Sequence, residues 1–213
     1  FLISNRPVKL VMTRDEVFRA TGPTSSSSID VKIGVKKDGT ITAAFAELRY
    51  QNGAFPFTWA EFGAMTCWAC YDFKNVKSVS KDVVLNRPKC AAYRAPSAPI
   101  AAFAVESTMD MVAAAIGMDP VDLRIKNVAK EGTKSSYGPV YGPIGIGPTL
   151  EAAKNHPHMK APLGKNQGRG MACGFWFNFG GQTCVDVNVT PDGSVTVAVG
   201  TVDVGGSRAS LAL

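Results

Sequence analysis

A tyrosine and an arginine stand in a turn just before a predicted helix, where they could bind an anion. The segment is "CAAYRAPSAPIAAFAVESTMD", in which Tyr93 and Arg94 precede two prolines and the helix. The N-terminus of a helix carries free N–H groups and a partial positive charge, and a guanidinium beside it adds a full charge. The pattern predicts an anion-receptive corner about as strongly as it predicts an ordinary surface arginine.

A glycine-rich turn near the end of the chain offers similar chemistry. The segment "DVGGSRAS" follows a predicted strand and combines two glycines with the Ser207 hydroxyl and the Arg208 guanidinium. Backbone N–H groups in such a turn can bind an oxo-anion or a phosphate. A plain strand-to-helix turn is the alternative.

Other reactive side chains favour structural roles. Cys67 and Cys70 have redox or metal-ligand spacing, but there is no second pair, and buried helix cysteines are the favoured interpretation. His156 and His158 flank a proline, which is typical of polar loop residues.

Glu106 and Asp110 are four residues apart on one predicted helix. They could act as acid and base, or they could anchor an arginine or loop N–H groups. Catalytic acid–base pairs usually come from different elements, so the spacing favours the structural role.

Two consecutive helices are predicted after the corner. Ser97 is the expected N-cap of the first and Gly117 its left-handed C-cap, while Asp119 and Pro120 start the second. The first helix has an apolar stripe, formed by Val105, Met109, Val112 and Ile116.

The remaining elements follow from alternation and turn residues. Two hairpins with Asp-Gly turns are predicted, from Ile29 past Ile41 and from Val185 to Val199. Single strands are expected at residues 7–13 and 76–84, and helices at 60–73 and 149–155. Composition shifts to Gly, Ser, Lys, Tyr and Pro beyond residue 129, which predicts a linker at 131–147 between a part at 1–130 and a part at 148–213.

Bulk composition is that of a globular domain with a sizeable core. The chain has 213 residues, 46% of them hydrophobic, and a net charge of +6. The basic residues are scattered, which does not favour nucleic acid, and no stretch reaches the ~18 apolar residues of a spanning helix. Five cysteines, an odd number, predict reduced thiols and a cytoplasmic protein. Both ends look cut, so we expect a piece of a longer polypeptide.

The order of these motifs resembles the molybdopterin-binding large subunit of the xanthine dehydrogenase and aldehyde oxidase family. The segments that carry the resemblance are "RPVKLVMTRDEVF", "AYRAPSAPIAAFAVESTMD", "GMDPVDLRIKN" and "PDGSVTVAVGTVDVGG". The resemblance covers essentially the whole chain. It implies an α+β fold, the two-part molybdenum-cofactor-binding domain of that family, truncated at both ends.

The resemblance also implies an activity. Members hydroxylate a carbon of an aldehyde or N-heterocycle with oxygen derived from water, at a molybdenum–pterin centre. It allows the cytosine dinucleotide form of the pterin, and it implies partner subunits or domains that carry 2Fe–2S clusters and FAD. A hetero-oligomer without nucleic acid or membrane partners is therefore expected. The general-base glutamate would lie outside this chain, so the isolated piece should be inactive.

Site residues are assigned by the same resemblance. Tyr93 and Arg94 match an aromatic-arginine pair beside the molybdenum ligands. Gly205, Gly206 and Ser207 match a Gly-Gln-Gly cofactor turn. Phe175 matches a phenylalanine that stacks on substrate, with Trp176 beside it.

Four residues differ from the family pattern, and these differences narrow the expected substrates and remove some expected site contacts. Gly206 replaces the glutamine of the cofactor turn, and Pro96 replaces a second stacking aromatic. Phe62 replaces the arginine that orients purines, which argues against purine substrates. Ala95 stands where carbon monoxide dehydrogenases have a copper-binding cysteine, so that chemistry is set aside. A non-catalytic scaffold or binding protein of the same fold is the alternative.

Overall fold

A three-stranded sheet with strand order β1-β2-β3 forms the centre of the larger part of the chain. The computed structural model describes residues 3–55, 60–177, 181–200, 204–206 and 209–210. Strands β1 (Ser27–Val35) and β2 (Ile41–Gly53) form an antiparallel hairpin, and β3 (Val76–Val84) pairs with β2 in parallel. The Asp-Gly turn prediction is confirmed, since the Asp38 carboxylate accepts the Thr40 N–H at 2.9 Å and Gly39 has a φ of 84°.

Helices cover the sheet and fill the core. Helix α2 (Ala60–Thr66) contacts β2 and β3, and α3 (Ala98–Ile116) packs along β1. Complete burial of a large apolar side chain stabilises a fold by about 1.5 to 3 kcal/mol. The largest apolar side chains buried in this way are Trp68, Tyr50, Leu48, Met109, Leu123 and Val105.

Helix α3 agrees with its predicted stripe but not with its predicted N-cap. Val105 and Met109 are buried, and Gly117 ends the helix with a φ of 69°. Ser97 occupies the N-cap position with a φ of 67°, and its side chain makes no capping hydrogen bond. Ser97 is left-handed in this corner, whereas a serine N-cap requires an extended backbone, so the side chain cannot cap the helix.

By length and composition α3 could also cross a membrane, and it is the one helix among the described residues of which this is true. The sequence expectation of no such stretch was therefore wrong. Core helices meet the same criteria, and α3 packs against the sheet.

Helix α4 (Pro120–Asn127) begins as predicted, with the Asp119 carboxylate accepting the Val121 and Asp122 N–H groups. Its last residue ties it to the first hairpin. The Asn127 amide donates to the Gly39 carbonyl at 2.9 Å and accepts the Ile41 N–H at 3.0 Å. Helices α5 (Ile146–Asn155) and α6 (Pro157–Lys160) follow.

The strand predicted at residues 7–13 is wrong. The segment lies without strand pairing before helix α1 (Arg14–Ala20), and Leu10 is 90% exposed. Apolar alternation can produce a strand only where a neighbouring strand offers free N–H and C=O groups, and this segment pairs with none of the described strands.

Contact within the chain defines two compact units, Phe1–Trp176 and Phe177–Leu213. The predicted linker lies inside the first unit, where Thr133 and Ser135 are buried and the Ser135 N–H bonds to the Pro139 carbonyl at 2.8 Å. The second unit contains the predicted hairpin, formed by β4 (Val185–Val189) and β5 (Val195–Val199). The assignment of 1–130 and 148–213 to two cofactor-binding parts stays a prediction.

Candidate functional site

Two left-handed residues bend the chain at the corner before α3. Ala95 has a φ of 57° and Ser97 a φ of 67°, and neither is a glycine. Such conformations cost about 1 to 3 kcal/mol each and persist only where the surroundings fix them. Two hydrogen bonds do so here: Tyr50 Oη donates to the Ser97 carbonyl at 3.1 Å, and the Ala98 N–H donates to the Ala95 carbonyl at 3.2 Å.

The sheet holds the approach to this corner as well. The Cys90 N–H donates to the Asn52 carbonyl at 3.1 Å, so the chain that leads to the corner is bonded to the end of β2. At Gly53 the two segments lie so close that a Cβ would stand 2.1 Å from the Pro88 carbonyl oxygen. Only glycine fits this position.

Asn52 carries an unsatisfied polar group beside the same approach. The residue is fully buried, and within the part of the chain that the structure describes neither its amide nitrogen nor its amide oxygen has a hydrogen-bond partner. A buried amide left unpaired costs free energy, so it indicates a polar partner.

Tyr93 and Arg94 lie next to each other on the corner, as the sequence requires. Tyr93 is half-buried, and burial raises the pKa of its hydroxyl, while contacts with Thr24 and the Ser97 backbone lower it. Arg94 is exposed. A rigid turn, a helix N-terminus and an exposed guanidinium can together bind an anionic group.

A buried carboxylate behind the corner joins four segments. Glu106 accepts hydrogen bonds from Tyr71 Oη, from Arg124 Nε at 2.7 Å and from the Cys173 N–H at 2.9 Å. Arg124 is completely buried and also binds Asp110 at 2.7 Å. Burial raises the pKa of the Tyr71 hydroxyl well above its usual range, and the Glu106 charge raises it further.

This cluster confirms the structural interpretation of the two carboxylates. Glu106 and Asp110 anchor one arginine, and Glu106 also binds a loop N–H. The cluster fixes α3 against α4 and fixes the chain at residue 173, two residues before the predicted substrate-pocket aromatic.

Phe175 and Trp176 contact different neighbours. The Phe175 ring lies 5.7 Å from Tyr137 and 6.4 Å from Tyr141, whereas Trp176 lies 5.6 Å from Phe62. Phe175 also lines an apolar cavity of about 350 Å³ with Cys70, Tyr141 and Ile146. Phe62 thus forms an aromatic pair with Trp176.

The predicted cofactor turn lies in the second unit and is described only in part. Gly205 and Gly206 have φ values of 121° and 81°, a conformation that favours glycine. Ser207 lies outside the described residues. A Cβ at Gly206 would have no atom of the described chain within 4 Å. The positive φ of this residue would nevertheless strain any residue with a side chain.

The cysteines and histidines have local roles. Cys67 and Cys70 are buried, as predicted, but they lie in turns after α2 and not in the helix predicted at residues 60–73, because α2 ends at Thr66. His156 caps α6 by accepting the His158 N–H at 3.2 Å, and both histidines are exposed. Among the described residues no group of three or more His, Cys, Asp or Glu side chains could hold a metal ion.

Sequence reasoning missed several residues around the site. Tyr50, Asn52 and Arg124 lie in elements remote from the corner in sequence, and their roles depend on tertiary contacts. Only Arg124 had a signal, because it lies in the quoted segment "GMDPVDLRIKN" and two helical carboxylates lacked a partner.

Comparisons with known proteins identify the family of the chain. The molybdopterin cofactor-binding domain matches residues 2–128. The chain is 31% identical over 159 residues to the nicotinate dehydrogenase large molybdopterin subunit of Eubacterium barkeri, covering 71% of this chain and 36% of that protein. It is 34% identical over 129 residues to the xanthine dehydrogenase molybdenum-binding subunit of Escherichia coli O157:H7, covering 59% of this chain and 17% of that protein.

Solved structures give the same fold. The aldehyde oxidoreductase of Desulfovibrio desulfuricans superposes with a TM-score of 0.66 at 24% identity, over 83% of this chain and 21% of that one. The chain therefore spans about a third or less of the length of these relatives. With the domain match over more than half of its residues, the chain belongs to the molybdopterin cofactor-binding domain family of the molybdenum hydroxylases.

Proposed function

We propose that the protein containing this chain is a molybdenum hydroxylase that oxidises an aldehyde or an N-heterocycle with oxygen derived from water. The corner at residues 93–97 would bind the molybdenum–pterin cofactor, with Arg94 facing its anionic end. The single observation that supports this role most strongly is the corner itself. Two strained non-glycine residues, held by a hydrogen bond from the buried Tyr50, form a preorganised turn at the start of the longest helix.

The residues present fit such a group. Arg94 offers a charge on a rigid turn, and the unpaired Asn52 amide offers a donor and an acceptor beside the approach to that turn. When bound, the molybdenum–pterin group would supply the two-electron oxidation and the oxygen transfer. The chain itself would hold and orient the cofactor, because the general-base glutamate is expected outside these residues.

The aromatic residues support a substrate class. Phe62 and Trp176 form an apolar pair where the purine oxidases have a charged arginine. An apolar contact of this kind favours a flat or aliphatic substrate without the charge of a purine anion. We therefore infer an uncharged aldehyde or N-heterocycle as substrate, and we do not favour xanthine.

The proposal includes partners and a compartment. Electrons would leave through 2Fe–2S clusters to FAD on partner subunits or domains of a hetero-oligomer in the cytoplasm. The pterin would carry either no nucleotide or a cytosine dinucleotide. The relatives named above are molybdopterin or molybdenum-binding subunits by name, which supports partner subunits, whereas the compartment rests only on the odd number of cysteines.

A non-catalytic scaffold is the second candidate, and one observation favours it. Gly206 stands in place of the cofactor-binding glutamine. Its φ of 81° is a backbone conformation in which a glutamine would be strained.

Turnover separates the two candidates. The complete protein should oxidise a panel of aldehydes and N-heterocycles with an artificial electron acceptor, and oxygen from labelled water should enter the product. Absence of turnover in a preparation that contains molybdenum would favour the scaffold.

A further inference from the structure

An apolar cavity of about 350 Å³ lies within the first unit, at a place where several segments of the chain meet. The segments are residues 69–70 after α2, residue 129 after α4, residues 141–149 at the start of α5, and residues 174–175. Alanine, glycine, isoleucine, cysteine, threonine and two aromatic residues form the lining, and none of these described residues is charged at neutral pH. A charged ligand therefore finds no side chain of opposite charge in this cavity.

The lining has a buried part and an exposed part. Ala69, Cys70 and Ala129 are almost completely buried, whereas Ile144 and Thr149 reach the surface. A small molecule can therefore enter from solvent, and the part of it that contacts the buried residues loses its contact with water. Removal of apolar surface from water is the main source of affinity for a ligand of this kind.

The polar side chains of the lining already have partners or bond only weakly. Tyr141 Oη donates to the Ala69 carbonyl at 2.8 Å, and Thr149 Oγ1 donates to the Gly145 carbonyl at 2.7 Å. The third polar side chain belongs to Cys70, and a buried thiol behaves as a small hydrophobe. A polar ligand would lose its hydrogen bonds to water and would find few in return, so the cavity disfavours polar molecules.

The volume and the aromatic walls indicate the size and shape of the ligand. The rings of Tyr141 and Phe175 lie 6.4 Å apart and are tilted by 46°. Aromatic rings in such arrangements pack favourably against a further ring. An apolar cavity of roughly 150 Å³ is large enough for benzene. At about 350 Å³, this cavity has room for a molecule with one or two rings.

We propose that this cavity is a binding site for a small, uncharged, apolar molecule with one or two rings. The site does not depend on the proposed function, because its ligand needs no contact with a cofactor. A bound molecule would contact Phe175, which the resemblance assigns to the substrate pocket. Occupancy of the cavity would therefore be coupled to that pocket through one shared side chain.

Photolabelling of the folded, complete protein tests the proposal. The probe is trifluoromethyl phenyldiazirine, a small apolar molecule with one ring, whose carbene inserts into neighbouring bonds after illumination. Digestion and tandem mass spectrometry then locate the adducts. We expect adducts on Tyr141, Ile146 and Phe175, and we expect an excess of toluene to remove them. Adducts that toluene does not displace, or the absence of adducts from these residues, would overturn the proposal.

Variants that fill the cavity provide a second measurement. Ala129→Leu adds bulk to the buried part of the lining and should reduce the toluene-sensitive labelling of Tyr141 and Phe175 by at least about tenfold. Ile146→Phe, at a half-buried position, should have the same effect. Ala115→Leu, the same change as at residue 129 on the exposed face of α3, should leave the labelling unchanged.

Circular dichroism establishes that each variant is folded before it is labelled. Unchanged labelling in a folded Ala129→Leu or Ile146→Phe variant would place the probe outside the cavity and contradict the proposal. The toluene competition in the wild-type protein decides the question if neither of these variants folds.

Discussion

At the scale of single residues, the Glu106 carboxylate joins its own helix to three other segments. It binds Tyr71, Arg124 and the Cys173 N–H, and Arg124 has no exposed side-chain surface. Removal of one partner of a buried ion pair leaves the other charge uncompensated, which costs far more than the pair itself contributes. The two ion pairs of Arg124 therefore contribute unequally to stability. Asp110 is 55% exposed, so water can replace it, whereas Glu106 is buried.

Glu106→Gln should lower the free energy of unfolding by about 3 to 5 kcal/mol, since a neutral amide leaves the buried Arg124 charge with only the half-exposed Asp110 as a partner. Urea denaturation followed by circular dichroism measures this loss. The matched variant Asp110→Asn should cost less than about 1 kcal/mol, because its pair with Arg124 is solvated. Equal losses for the two variants would mean that the cluster is not organised around Glu106.

Arg94 is the residue on which the cofactor proposal depends. Arg94→Ala should reduce the molybdenum and pterin content of the purified protein and leave its unfolding midpoint almost unchanged, because the side chain is exposed. Elemental mass spectrometry and pterin fluorescence measure the content. Arg19→Ala, which removes an exposed arginine of α1, should change neither quantity. A lower unfolding midpoint at unchanged molybdenum content would assign Arg94 a structural role.

At the scale of elements, the end of β2 decides the position of the corner. Gly53 packs against Pro88, Asn52 binds Cys90, and Tyr50 binds Ser97. These three contacts fix the approach and the corner to one strand. The strand is therefore a template for the corner as well as part of the core.

Gly53→Ala should be strongly destabilising, by at least about 2 kcal/mol, because its φ of 73° disfavours a side chain and its Cβ would clash with Pro88. Gly147→Ala in α5 is the matched control. Its Cβ would meet only Val128 at 3.7 Å, and its φ lies outside the left-handed region, so alanine should cost far less there than at Gly53. Thermal unfolding of both variants measures the contrast, and a tolerated alanine at Gly53 would show that β2 does not hold the approach.

Local signals predicted the elements that local residues determine. The two hairpins, the strand at 76–84 and the caps of α3 and α4 at Gly117 and Asp119 follow from turn and cap chemistry and are confirmed. The predictions of a Ser97 N-cap and of a strand at residues 7–13 were wrong, because each relied on a local preference alone. At Ser97 the left-handed corner geometry prevents side-chain capping, and residues 7–13 have no neighbouring strand to pair with among the described residues. The hydrogen bond from the Cys173 N–H to Glu106 could not be predicted, because it joins segments far apart in the chain.

At the scale of the whole molecule, two compact units each present part of the expected cofactor-binding equipment. The first holds the corner and the aromatic residues, and the second holds Gly205 and Gly206. The resemblance in sequence assigns the corner and the turn at Gly205 and Gly206 to one cofactor. Residue chemistry alone predicts two separate anion sites. The family match covers residues 2–128, which include the corner but not Gly205 or Gly206.

The central claim is that this chain helps to hold a molybdenum–pterin cofactor. The most direct test is the molybdenum and pterin content of the complete protein purified from its native host, measured by elemental mass spectrometry and by pterin fluorescence after oxidative release. We expect about one molybdenum and about one pterin per chain. A well-folded preparation that contains neither would contradict it, and the corner at Arg94 would then belong to a scaffold.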